Sequence, residues 1–126
     1  MLRSRIAAAA TACALGAAVV VSAAVAGTAA PVTRTVTLDG MTFNGKANSK
    51  LAAHVGDTLR FVWAPSNSIA HNIMMSKAPT GFKKVSESTL AAHHAPFLVK
   101  LTRKGVYQFY CVPHRPLGMV ITVTVS

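Results

Sequence analysis

Tyr107-Gln-Phe-Tyr-Cys111-Val-Pro-His114-Arg-Pro-Leu-Gly-Met119 is the stretch from which the rest of the chain can be read. Its first part alternates. Tyr107, Phe109 and Cys111 fall on one face of an extended segment and Gln108 and Tyr110 on the other, the period-two pattern of a half-buried strand. Pro113, Pro116 and Gly118 then interrupt regular structure. Met119 opens a second alternating run in which Ile121, Val123 and Val125 share a face. The reading is two strands joined by one loop, with Tyr107, Phe109 and Cys111 pointing into a core and Tyr110 pointing out.

The same period recurs upstream. Residues 32–38 alternate and are rich in Val and Thr, which favours a strand. Gly40 ends that run, and residues 41–44 continue it after a kink. Val55-Gly-Asp-Thr58 is a turn into residues 59–63, where Leu59, Phe61 and Trp63 share a face. Residues 65–68 form a loop, and residues 69–75 a short strand. Residues 77–87, with Pro79, Gly81 and three lysines, read as a surface loop, with one helical turn near residues 86–90. Residues 97–101 are a further strand, and Gly105 turns the chain into residues 106–111. Seven to eight short strands with turn signals about ten residues apart predict an all-β sandwich.

Composition excludes the main alternatives. The chain has 126 residues, 52% hydrophobic and 13% charged, too apolar for disorder and too poor in charge for a coiled coil. Its 8 glycines and 6 prolines follow no collagen period, and 2 cysteines cannot staple a disulfide scaffold. Residues 1–30 are a separate object. Arg3 and Arg5 precede an uncharged run of 25 residues that ends in small side chains, the parts of a secretory signal cleaved after Ala29 or Ala30. The run is also long enough for a retained membrane anchor, but Ala, Gly, Thr and Ser drive insertion weakly. Ser4 between the arginines breaks the twin-arginine pattern, and Cys13 sits too early for a lipoprotein site. An exported domain over residues 31–126 then has 11 basic residues, three acids (Asp39, Asp57, Glu87) and one cysteine, Cys111. An unpaired thiol in an oxidising compartment is a liability unless it is protected or used.

Cys111, His114 and Met119 lie in one loop between two strands, so their side chains can converge at one end of the sandwich. Thiolate, imidazole and thioether are soft or borderline donors. One Cys, two His and a weak axial Met make a blue-copper electron-transfer set. The second imidazole must come from His54, His71, His93 or His94. His71 is favoured because it starts a strand after a loop, whereas His54 adjoins the Gly56-Asp57 turn and the adjacent His93 and His94 diverge.

The stretch Lys104-Gly-Val-Tyr-Gln-Phe-Tyr-Cys-Val-Pro-His-Arg-Pro-Leu-Gly-Met-Val120 resembles the copper loop of the plastocyanins. The step from His114 to Met119 is similar in plastocyanin and pseudoazurin and longer than in amicyanin. His71-Asn72 resembles the plastocyanin His-Asn pair, and Val55-Gly-Asp-Thr-Leu-Arg-Phe61 the turn into the third strand. The resemblance runs from Val32 to Ser126. It implies a cupredoxin-like Greek-key sandwich, with His71, Cys111 and His114 in a trigonal plane and Met119 axial on one type 1 copper ion. It also implies that Asn72 fixes the Cys loop and that His114 is the more exposed ligand. The chain departs from the family where Arg115, Pro116 and Leu117 replace small residues. The acidic patch of plant plastocyanins has no counterpart, and no helical extension like that of pseudoazurins is expected.

The expected function is that of an exported, periplasmic one-electron carrier cycling between Cu(I) and Cu(II), a monomer and not an enzyme. The alternative is a copper-carrying module without electron transfer. The expected partner is an acidic redox protein, a c-type cytochrome or a copper oxidoreductase. A membrane is a partner only if the N-terminal run is retained. Nucleic acid is excluded, since the basic residues are scattered and there is no recognition helix. Lys77, Lys83, Lys84 and Arg115 are expected to steer the partner by lying near the copper end.

Overall fold

The computed structural model describes residues 17–23 and 27–126. Most of the segment read as an export signal, Cys13 included, lies outside the described residues. Among the described residues no helix is long and apolar enough to cross a membrane.

Nine strands follow in order: β1 (Thr33–Asp39), β2 (Thr42–Phe43), β3 (Ser49–Ala53), β4 (Thr58–Trp63), β5 (His71–Lys77), β6 (Glu87–Ala91), β7 (Phe97–Lys100), β8 (Gly105–Tyr110) and β9 (Val120–Val125). They form two sheets, ordered β2-β1-β4-β7 and β3-β9-β8-β5-β6. Most neighbours are antiparallel, but β1 runs parallel to β4 and β3 parallel to β9. These parallel pairs join strands distant in sequence and close the sandwich.

The alternating runs explain the core. Leu59, Phe61 and Trp63 of β4 are buried with Val36 and Leu38 of β1. From the other sheet come Ile73, Met75, Tyr107, Phe109, Ile121, Val123 and Val125. The Phe61 and Phe109 rings meet across the two sheets at 4.9 Å, and Phe43 stands edge-on to Phe61 at 6.0 Å. Fully burying such a side chain contributes about 1.5–3 kcal/mol. Tyr107 is buried to its hydroxyl, which donates to the Arg103 carbonyl at 2.8 Å and accepts the Arg103 N–H at 3.1 Å, tying down the turn before β8.

Two elements correct the sequence reading. The helical turn expected near residues 86–90 is strand β6, an edge strand paired with β5 through a register shift between His71 and Ile73. Its residues Glu87-Ser-Thr-Leu-Ala91 have weak β propensity, and pairing with β5 overrides it. Strand β3 was not expected at all. Ser49-Lys-Leu-Ala-Ala53 carries little apolar alternation and is held by the register with β9, from Ser49 opposite Ile121 to Ala53 opposite Val125.

Strand direction fixes what lies at each end. β5 starts and β8 finishes at the same end, as do the end of β4 and the start of β9. That end carries His71 and the loop from Cys111 to Met119. The opposite end carries Val32, the 54–57 turn, the β7–β8 turn and Ser126, joined by bonds from Thr58 N to Val32 O, Gly56 N to Leu101 O and Val55 N to Ser126 O.

Candidate metal centre

The loop from Cys111 to Met119 is a closed ring. Cys111 N–H donates to Met119 O at 3.1 Å, and Met119 N–H donates to His114 O at 3.2 Å. A 3-10 turn at Arg115–Leu117 sits inside it, started by Pro116 and stopped by Gly118 at φ 85°. Gly118 is required there. A Cβ would lie 2.9 Å from Cβ of Ala47, and the conformation is left-handed. Gly118 O also accepts from Asn48 N at 2.8 Å, joining the loop to the segment before β3.

Within this frame three donor atoms converge. Cys111 Sγ lies 3.6 Å from His71 Nδ1 and 3.4 Å from His114 Nδ1, and the two nitrogens are 3.1 Å apart. A point equidistant from the three atoms lies about 2 Å from each, the length of metal–imidazole bonds and somewhat short of metal–thiolate bonds. The donor set therefore fits one soft or borderline metal ion. His71 and Cys111 are buried and His114 is half-buried. Met119 is fully buried in the core directly after the loop. The other histidines stay away from the cluster. His54 stands at the opposite end beside Asp57, His93 is exposed, and His94 packs on Trp63 at 5.1 Å between ring centres.

Neighbouring groups hold the donors in orientation. Asn72 Oδ1 accepts the Val112 N–H at 2.9 Å, so the residue after His71 grips the residue after Cys111, as the resemblance implied. His71 Nε2 donates to Asn67 Oδ1 at 3.1 Å, which leaves the Nδ1 lone pair facing the cluster. Asn67 is itself fixed, because its amide donates to Ile69 O at 2.8 Å and Ala92 O at 2.7 Å. Sequence reasoning placed Asn67 in a loop and gave it no role. The only available signal was an Asn four residues before a favoured histidine.

Burial sets the protonation of the metal-free cluster. Desolvation, and then the nearby His114, push the His71 pKa below its usual value, while the Gly40 carbonyl and Asp39 oppose them. Desolvation pushes the Cys111 thiol up against the pull of the Asn72 and His114 backbone N–H groups. Both groups are thus held neutral, and thiolate ligation must release the Cys111 proton.

The surface around His114 is apolar. Val112 and Leu117 are 51% and 57% exposed, and Pro113 and Pro116 are exposed beside them. Tyr110 is half-buried beneath the Arg115 guanidinium, 4.2 Å above its ring. The expectation that Lys77, Lys83 and Lys84 lie near this end is corrected. β5 carries the chain away from His71, so Lys77 lies about 20 Å along the strand. The loop after it folds under the opposite end, where a Cβ on Gly81 would touch the Arg103 guanidinium at 3.0 Å. Of the four residues, Arg115 alone belongs to the site loop.

Comparison with known proteins agrees with this geometry. Residues 30–126 match the family of copper binding proteins, plastocyanin/azurin family. Plastocyanin of Prochlorothrix hollandica is 39% identical over 80 residues, 60% of this chain and 59% of that protein. Chloroplastic plastocyanin of Pisum sativum is 36% identical over 85 residues, 62% of this chain. The chain thus spans 59% and 49% of the length of these two relatives. The pseudoazurin of Methylobacterium extorquens AM1 superposes with a TM-score of 0.59 at 29% identity, over 75% of each chain. A two-sheet sandwich, a His–Cys–His cluster at one end and a family match across the whole folded region lead to one conclusion: the chain belongs to the copper-binding proteins of the plastocyanin/azurin family.

Proposed function

We propose that this chain is an exported one-electron carrier that holds a single copper ion through His71, Cys111 and His114, with Met119 as a weak axial ligand. The observation that carries the reading is the triangle of donor atoms, 3.1 to 3.6 Å on a side, at the end of a rigid sandwich. When bound, the copper supplies the redox couple, alternating between Cu(I) and Cu(II). The protein supplies fixed geometry. Asn67 locks the His71 ring and Asn72 locks the loop, so little must rearrange when the charge changes.

His114 is the ligand nearest solvent, and Val112, Pro113, Pro116 and Leu117 frame it with apolar surface. A small apolar contact suits a transient redox encounter. Cleavage after residue 29 or 30 would release the domain that the family match delimits. The partner is a redox protein, drawn by the positive charge of the domain and seated on the His114 surface.

The test is the optical spectrum of the protein with Cu(II) added. An intense visible thiolate-to-copper band is expected at 1:1 stoichiometry, and Cys111→Ser should abolish it. A colourless wild-type complex would overturn the assignment.

A further inference from the structure

The end of the sandwich opposite the metal centre is a basic pole. Lys100 closes β7, and Arg103 and Lys104 form the turn into β8. Lys77 is not part of the pole, since it pairs with Gln108 at mid-height of β8, and Lys84 Nζ donates to Ser76 O beside it at 2.9 Å. Neither lysine nor the arginine of the pole pairs with a carboxylate among the described residues. The one acid at this pole, Asp57, is buried against Arg34 at 2.7 Å and offsets none of them. Two exposed valines, Val32 at 47% and Val55 at 42%, lie at the same end. The chain enters the domain here too. Pro31 packs on Gly56, and Val32 N–H donates to Asp57 at 3.0 Å. The uncharged run of residues 6–30 leads directly into this pole.

We propose that the basic pole is a docking surface for an anionic lipid bilayer. Cations near such a surface each favour binding by about fivefold, and the effect falls away within a Debye length. Val32, Val55 and Pro31 would touch the interfacial region while the lysines and arginine meet phosphate headgroups. Because β8 runs from the pole at Gly105 to Tyr110 beside the metal centre, a domain seated this way holds His114 and Leu117 about 20 Å from the bilayer, facing away from it. The lipid contact and the redox contact use opposite ends, so one does not block the other. The inference does not depend on the copper reading, since lipid binding requires no metal.

The experiment measures partition of the full chain into vesicles of phosphatidylcholine and of phosphatidylcholine with about one-third phosphatidylglycerol, at low and high salt. Arg3 and Arg5 ahead of the uncharged run add the same charge response to the wild type and every variant, so the change in the ratio on substitution reports the pole. A ratio of at least about tenfold at low salt, shrinking at high salt, is expected. Lys100→Glu with Lys104→Glu should cut the ratio at least about tenfold. Lys46→Glu with Lys50→Glu, an equal charge change in the half of the domain nearer the metal centre, should leave it almost intact. Arg103→Glu repeats the test at the remaining cation of the pole. No lipid-charge dependence in the wild type, or equal loss in the pole and control pairs, would overturn the proposal.

Discussion

Asn67 and His71 are four residues apart and joined by a single buried hydrogen bond of 3.1 Å, from the imidazole Nε2 to the amide oxygen. The bond turns a loop residue into the support of a metal donor. It links the ring through Asn67 to two further carbonyls, Ile69 O and Ala92 O, and so ties His71 to the Trp63–His71 connection and to the segment after β6.

Asn67→Leu keeps the approximate volume but removes all three bonds. Losing buried polar partners costs about 1–3 kcal/mol. Freeing a ligating imidazole from its support typically costs 10–100-fold in metal affinity. Chemical denaturation of the metal-free protein should show the first loss, and competition titration with a Cu(I) chelator the second. Unchanged copper affinity would mean that core packing alone orients His71.

The axial assignment predicts opposite shifts for two variants. Met119→Gln introduces a harder oxygen donor, favours Cu(II) and lowers the reduction potential. Met119→Leu removes the donor and raises it. Each tenfold change in preference between the two oxidation states moves the potential by about 59 mV. Voltammetry should find both variants still binding copper through the other three ligands, and potentials equal to wild type would make Met119 core filler.

Docking is expected to depend on contact at His114 and not on the distant lysines. Leu117→Asp should slow electron transfer with an acidic c-type cytochrome at least about tenfold at every salt concentration, because it spoils a small apolar contact. Lys83→Glu with Lys84→Glu should change the rate less than about twofold at physiological salt, since screening acts over about 8 Å. Stopped-flow rates across a salt series separate the two. A larger effect of the lysine pair would place the encounter elsewhere.

Asp57 predicts acid sensitivity. N–H groups of Val32 and His54, together with the Arg34 side chain, pull its pKa from 3.8 down to about 2. A carboxyl held below its ordinary value stabilises the fold fully above that value, and this contribution is lost as pH falls through the folded-state pKa. Thermal stability should therefore decline between about pH 4 and pH 2. Asp57→Asn should be less stable at neutral pH, with a flatter dependence in that window. A parallel pH profile for the variant would show that another group controls the acid transition.

Sequence alternation made most of the sandwich legible because β4, β8 and β9 bury every second residue. It missed β3 and β6, whose sequences are not strand-like and which exist because β9 and β5 offer edges to pair with. The cluster of His71, Cys111 and His114 was legible because Cys111 and His114 lie three residues apart and the choice of His71 required only a strand start. Asn67 was not, since its role depends on a loop curling its amide under the ring. The lysines were misplaced for a related reason. Lys77 is six residues from His71 in sequence, but an extended strand turns those six steps into about 20 Å and leaves Lys77 opposite Gln108, half-way along β8.

The parallel pairing of β3 with β9 also orders assembly in time. Ser49 must wait for Ile121, and everything from β4 to β8 is made between them. As the chain emerges from its N-terminus, the second sheet stays open until almost the last residues appear. Such long-range closure makes folding slow. His71 is delivered early but Cys111 and His114 arrive near the end, so no partial chain has a complete cradle. Metal loading is thereby a late event, coupled to closure of the sandwich, and a truncated or still-threading chain cannot capture copper with this triad.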